Sequence, residues 1–141
     1  MTSTDSTSNN KKLSAQDPVL VVEDDFVSRE LNVNLLWEVG FSNVLTANDG
    51  MRALSVFKEQ QAKNHPIKLI VCDWNMPQMN GLDLLEIMRK DESLNTIPFF
   101  LVSSNHNKAH IIKAIKAGVT GYVVKPVSLG QLKDKLTAYL P

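Results

Sequence analysis

The stretch Asp73-Trp74-Asn75-Met76-Pro77 follows directly on the apolar run Ile67-Lys68-Leu69-Ile70-Val71-Cys72, and its reading decides the fold. The run reads as a buried strand. An acidic residue at its end, followed by turn residues and a proline, lies on the carboxyl edge of a sheet, where open α/β sheets place their ligand chemistry. A second apolar run, Val19-Leu20-Val21-Val22, ends in Glu23-Asp24-Asp25. If the two strands are parallel neighbours, three or four carboxylates meet at one edge. Each disfavours ionisation of the others. A divalent cation relieves that conflict, and carboxylates, a carbonyl and waters are the ligands that Mg²⁺ prefers.

Outward from this edge, strands and helices alternate from Pro18 onward. Strands are predicted over about 18–23, 43–46, 67–72, 97–102 and 121–124. A first helix over about 26–39 presents Val27, Leu31, Leu35 and Val39 as its apolar stripe, and Gly40 stops it. Asn48-Asp49-Gly50 opens a second, running to about 62, with Leu54 and Phe57 inward. Asn80 caps a third, whose inner face is Leu82, Leu85 and Met88. A fourth, about 107–117, carries Ile111, Ala114 and Ile115. A fifth, about 128–140, lines up Leu129, Leu132, Leu136 and Leu140. Five βα units of this kind form an α/β fold with a parallel sheet covered on both sides.

Composition narrows the function classes. The 141 residues fit one domain. Fifteen Lys and Arg balance fifteen Asp and Glu, so nothing draws the chain toward nucleic acid or a membrane surface. The single cysteine, Cys72, excludes an internal disulfide and reads as a small core residue. A cytoplasmic location is expected. No apolar stretch reaches the roughly 18 residues of a membrane span, and the polar N-terminus lacks the apolar core of a signal peptide. Residues 1–17 read as a disordered tail and 18–141 as the folded domain.

Each strand end supplies something polar. The first gives Glu23 and Asp24, the third Asp73 and Asn75, the fourth Ser103 and Ser104, and the fifth Lys125-Pro126. Carboxylates, a hydroxyl and an ammonium together can hold a metal and a phosphoryl group, with one carboxylate as nucleophile. Each feature alone is weak; four together, on the ends of four of the five strands, are strong.

On these residues the chain resembles a response-regulator receiver domain, by pattern the CheY-like single-domain chemotaxis regulators. The matching stretches are Leu20-Val21-Val22-Glu23-Asp24, Asn48-Asp49-Gly50, Asp73-Trp74-Asn75-Met76-Pro77, Asn80-Gly81-Leu82 and Gly121-Tyr122-Val123-Val124-Lys125-Pro126. The resemblance implies a flavodoxin-like (βα)5 three-layer sandwich with strand order 2-1-3-4-5. It implies that Asp73 is the phosphoacceptor and that Mg²⁺ is held by Asp24, Asp73 and the Asn75 backbone carbonyl, with Glu23 acting through water. Asp25 falls one place too far along and reads as a helix-start residue. Lys125 would pair with the phosphoryl group, and its bond to Pro126 would be cis. Ser103 would be the switch hydroxyl and Tyr122 the coupled aromatic. Serine stands at 103 where threonine is usual, and at 104 where a smaller residue is common.

The function implied is a stand-alone phosphorylation switch. It takes its phosphoryl group from a histidine kinase or phosphotransfer protein. With no output domain expected before residue 18 or after 141, the signal would leave by protein contact or by passing the phosphoryl group onward. The expected partner surface is the fourth helix, fifth strand and fifth helix, with Asn105, Lys108, Lys116 and Tyr122. A monomer is expected. The competing readings are a phosphorelay intermediate or phosphate sink and a Mg²⁺-dependent phosphatase or TOPRIM-like enzyme. The enzymes favour an Asp-x-Asp pair after a strand, whereas this chain has Asp73-x-Asn75. His65, His106 and His110 form no cluster and read as surface residues. Trp74 reads as a cover over the site, Trp37 as packing or partly exposed.

Overall fold

Alternation along each strand sorts the apolar residues into two cores, one on each face of the sheet. The computed structural model describes residues 12–141. The strands are β1 (Val19–Val22), β2 (Val44–Ala47), β3 (Leu69–Asp73), β4 (Phe99–Ser103) and β5 (Gly121–Val124). The helices are α1 (Phe26–Glu38), α2 (Gly50–Ala62), α3 (Gly81–Lys90), α4 (Lys108–Lys116) and α5 (Leu129–Lys135). All strand pairs are parallel in the order β2-β1-β3-β4-β5, which bears out the expected topology.

Leu20, Val22, Ile70, Cys72, Phe99 and Leu101 point to one face and meet Ala53, Val56 and Phe57 of α2, Leu84, Leu85 and Met88 of α3 and Ala114 of α4. Their strand neighbours Val19, Val21, Leu69, Val71, Phe100 and Val102 point to the other and meet Val33 and Leu36 of α1 and Leu132 and Leu136 of α5. The period-2 rule of a strand thus yields three layers.

Local chemistry fixes the helix ends. Asp49 caps α2 by accepting from the Arg52 amide at 2.7 Å. Asn80 and Asp83 form a reciprocal capping box on α3. Gly40 turns the chain after α1 at φ +115°, a conformation that favours glycine. Gly81 serves a close approach instead: a Cβ there would lie 2.3 Å from the Asp73 carbonyl. At the far end of the sheet, Arg89 of α3 donates to the carbonyls of Gly118 (2.9 Å) and Ile97 (2.8 Å), tying the loop after α4 to the start of β4.

Three expectations change. The buried stripe of α1 is Asn32, Val33 and Leu36, with Val39 beyond its end; Val27 and Leu31 are exposed. On α4, Ile115 is exposed and Ala114 is the buried contact. The last helix ends at Lys135, although Leu136 still packs inward. Residues 1–11 of the expected tail lie outside the described residues. Of the remainder, Leu13 packs against the α1–α5 core and donates its amide to the Tyr139 carbonyl at 3.1 Å. The Ala15 carbonyl accepts from the Ser42 amide at 2.8 Å and hydroxyl at 2.9 Å. A single apolar anchor in polar surroundings left no compositional trace.

Candidate functional site

Strand register sets the site. Val22 of β1 lies opposite Cys72 of β3, so the next residues, Glu23 and Asp73, emerge level at the carboxyl edge. Glu23 and Asp73 are buried, while Asp24 is exposed. One carboxylate oxygen from each of the three lies within 4.8 Å of the others. Asp25 is not among them. It caps α1, accepting from the Ser28 amide at 2.8 Å, in line with its reading as a helix-start residue.

Lys125 reaches this cluster from the end of β5. Its ammonium lies 2.6 Å from Asp73 Oδ1 and 3.5 Å from Glu23 Oε1. The Lys125-Pro126 bond is cis, as the resemblance implies. Both of those carboxylate oxygens are buried, and apart from this ammonium they have no partner among the described residues. At 2.6 Å the ammonium ion-pairs with Asp73, and its charge compensates that oxygen.

Charge and burial conflict here in the expected way. Burial pushes the Glu23 carboxyl up to about 7; the Asp25 amide and Lys125 oppose this, and Asp73 adds to it. Burial also raises Asp73, against the pull of Lys125. Burial works to lower Lys125, but Asp73 and then Glu23 outweigh it and raise the ammonium. One ammonium therefore does not fully compensate three clustered carboxylates. Two buried carboxylate oxygens that share one ammonium, beside a third carboxylate, make a hard, all-oxygen donor set, which fits Mg²⁺. Asn75 sits exposed in the loop directly after β3.

The other expected residues stand around this centre. Ser103 is buried at the end of β4, and its Oγ accepts from the Asn105 amide at 3.0 Å. Tyr122 is turned inward, and its hydroxyl donates to the Asn105 carbonyl. Lys108, Lys116 and Asn105 are exposed along α4 and the loop before it. Ser104 is exposed and lines, with Ser28, Leu31, Asn32 and Lys125, an open groove of about 400 Å³ beside the site.

Trp74 and His110 depart from their expected places. Trp74 is buried in the α2–α4 core instead of lying over the acceptor. His110 is half-buried and stacks on it. Spacing gave no signal for this contact, because the partners belong to different βα units.

Known proteins resemble the chain in both sequence and fold. The chain is 40% identical over 118 residues to chemotaxis protein CheY-3 of Vibrio cholerae, covering 84% of this chain and 87% of the relative. It is 39% identical over 122 residues to chemotaxis protein CheY1 of Helicobacter pylori, covering 86% and 95%. Among solved structures it is similar to chemotaxis protein CheY4 of Vibrio cholerae, with a TM-score of 0.76 and 27% identity over 89% of this chain and 100% of that one. The family model of the response regulator receiver domain matches residues 19–137, and the chain belongs to that family of signalling switches.

Proposed function

We propose that Asp73 accepts a phosphoryl group from a phosphohistidine of a kinase or phosphotransfer protein, and that the modified chain signals by binding a target protein. The observation that carries this reading is the placement of a buried Asp73 2.6 Å from Lys125, with the Glu23 and Asp24 carboxylates beside it. An Asp73 oxygen attacks phosphorus. The phosphorus–nitrogen bond breaks, and its electron pair leaves with the imidazole, which takes up a proton. Lys125 then turns from the carboxylate to the phosphoryl oxygens. Asp24, Asp73 and the Asn75 carbonyl, with Glu23 beside them, would hold Mg²⁺, which would supply positive charge to those oxygens. Water later attacks phosphorus, the bond to the Asp73 oxygen breaks and inorganic phosphate leaves, which returns Asp73 to its free carboxylate, so any turnover is the chain's own.

Output follows from Ser103. Its hydroxyl leaves the Asn105 amide for a phosphoryl oxygen and draws the β4–α4 loop toward the site. Tyr122 is already inward, so phosphorylation biases an existing state instead of creating one. The face that changes includes Lys108 and Lys116, with Ile112 and Ile115 exposed between them. An apolar anchor flanked by acidic residues fits it. Chemotaxis or motility in the cytoplasm is the pathway that the relatives favour. The family also favours a switch over the phosphatase and TOPRIM-like alternatives.

The test is labelling with acetyl phosphate and Mg²⁺. One acid-stable, base-labile acyl phosphate is expected on the wild-type chain and none on Asp73→Asn. Labelling of that variant at the wild-type rate would overturn the assignment.

A further inference from the structure

The ring of His110, in the first turn of α4, lies face to face with Trp74, with centroids 3.5 Å apart and planes 22° apart. Tyr122 closes the edge of the pair, 6.5 Å from His110 at 89° and 6.2 Å from Trp74 at 69°. Three elements meet in this stack. Trp74 directly follows the acceptor at the end of β3, His110 belongs to α4, and Tyr122 to β5. The Nε2 atom of His110 is buried and has no hydrogen-bond partner among the described residues.

The geometry points to a coupling joint: His110 is a positioning residue that holds α4 and Tyr122 in the inward arrangement while its imidazole is neutral, and releases them when it is protonated. A neutral imidazole can carry its proton on Nδ1 and leave Nε2 a bare acceptor. An imidazolium cannot, since both nitrogens are then donors, and Nε2 would point a charged N–H where no acceptor stands. Stacking on the Trp74 face favours a cation, which opposes this. At the buried Nε2 atom the unanswered donor is the larger effect.

The surrounding charges agree. Asp73 and Lys125, the charged groups nearest along β3 and β5, are paired with each other. Trp74 is uncharged, and the Tyr122 hydroxyl is occupied by the Asn105 carbonyl. On its own helix and the preceding loop stand Lys113, Lys108 and the exposed His106. Burial, then Lys113, holds His110 below the ordinary imidazole value of 6.5. Protonation therefore favours the ring leaving the stack, which removes its contacts with Trp74 on β3 and with Tyr122.

The bearing of this joint on partner binding rests on the Asp73 reading. The joint itself does not, so it is tested without phosphoryl donor or Mg²⁺. Trp37, exposed on α1, is replaced by Phe so that Trp74 is the only tryptophan. The His110 ring resonance, the Trp74 emission and the amides of residues 105–122 are followed between about pH 5 and pH 8. All three are expected to change together, with one midpoint below 6.5. His110→Phe keeps a stackable ring without a titrating nitrogen; its emission and amides should lose the transition that tracks the His110 ring and keep only the change near 7 that Glu23 brings. His110→Ala should resemble acid wild type at every pH. Titration of His110 at or above 6.5, or titration that leaves Trp74 and those amides unmoved, overturns the proposal. The wild-type titration decides it alone if the variants do not fold. A failure here leaves the acetyl phosphate result untouched, and the reverse holds too.

Discussion

Glu23 carries the most information of any single residue, because it is buried, acidic and short of partners. Its folded carboxyl is raised from 4.5 to about 7, so the folded chain holds that proton longer than the unfolded chain does. The resulting stability is fully present below 4.5 and is lost as pH rises toward 7. His110, shifted down, acts with the opposite sign near 6.5, and Asp25 and Asp91, also shifted down, matter only below 3.8. Wild type and Glu23→Gln, unfolded in urea with a chelator present, separate these contributions. The wild-type advantage over the variant should shrink steadily as pH is raised from about 5 to about 7.5. A difference that stays flat would mean that Glu23 ionises freely. With Mg²⁺ the wild type should regain stability at the alkaline end by mass action, and the variant less so. The acidic site was legible as a sequence because each of its members ends a strand. His110 was not, because its role comes from a contact across two βα units and from the burial of one ring nitrogen.

At the scale of elements, the strands and helices read correctly in number, order and approximate extent, and capping residues marked several of the starts. The faces were harder. In α1, an i, i+4 series through Val27, Leu31 and Leu35 competes with Asn32, Val33 and Leu36, and the first is the more apolar. Docking on β1 and against α5 selects the second, even though it buries an asparagine. Periodicity cannot see that constraint, since it depends on where the sheet and α5 lie. The distinction has a measurable consequence. Leu36→Ala should cost about 2–5 kcal/mol of unfolding free energy, because the side chain is fully buried and leaves a cavity. Val27→Ala should change it by no more than about 0.5 kcal/mol. Equal losses in a chemical denaturation series would restore the more apolar stripe as the buried one.

For the whole molecule, the fold separates chemistry from output by one strand and one loop. Ser103 stands between them, so Ser103→Ala should leave Asp73 open to modification while reducing the gain in partner affinity that modification brings. Labelling and partner titration on the same variant check both halves; an undiminished gain would remove Ser103 from the path. In the wild type, amide shifts on adding beryllofluoride and Mg²⁺ should extend through residues 104–126, and confinement to the acidic cluster would place the output face elsewhere. The Arg89 tie gives those shifts a shape. It grips the Gly118 carbonyl just past the end of α4 and the Ile97 carbonyl just before β4, while the opposite end of α4 runs into an exposed loop. A helix tied by hydrogen bonds at one end and held at the other by the His110 stack alone becomes, once that stack opens, a lever with its fulcrum at Gly118. Its travel is greatest at Lys108 and falls toward Lys116, so a partner gains most from gripping the tip, and severing the fulcrum with Arg89→Ala should turn a graded pivot into a uniform loosening along the helix.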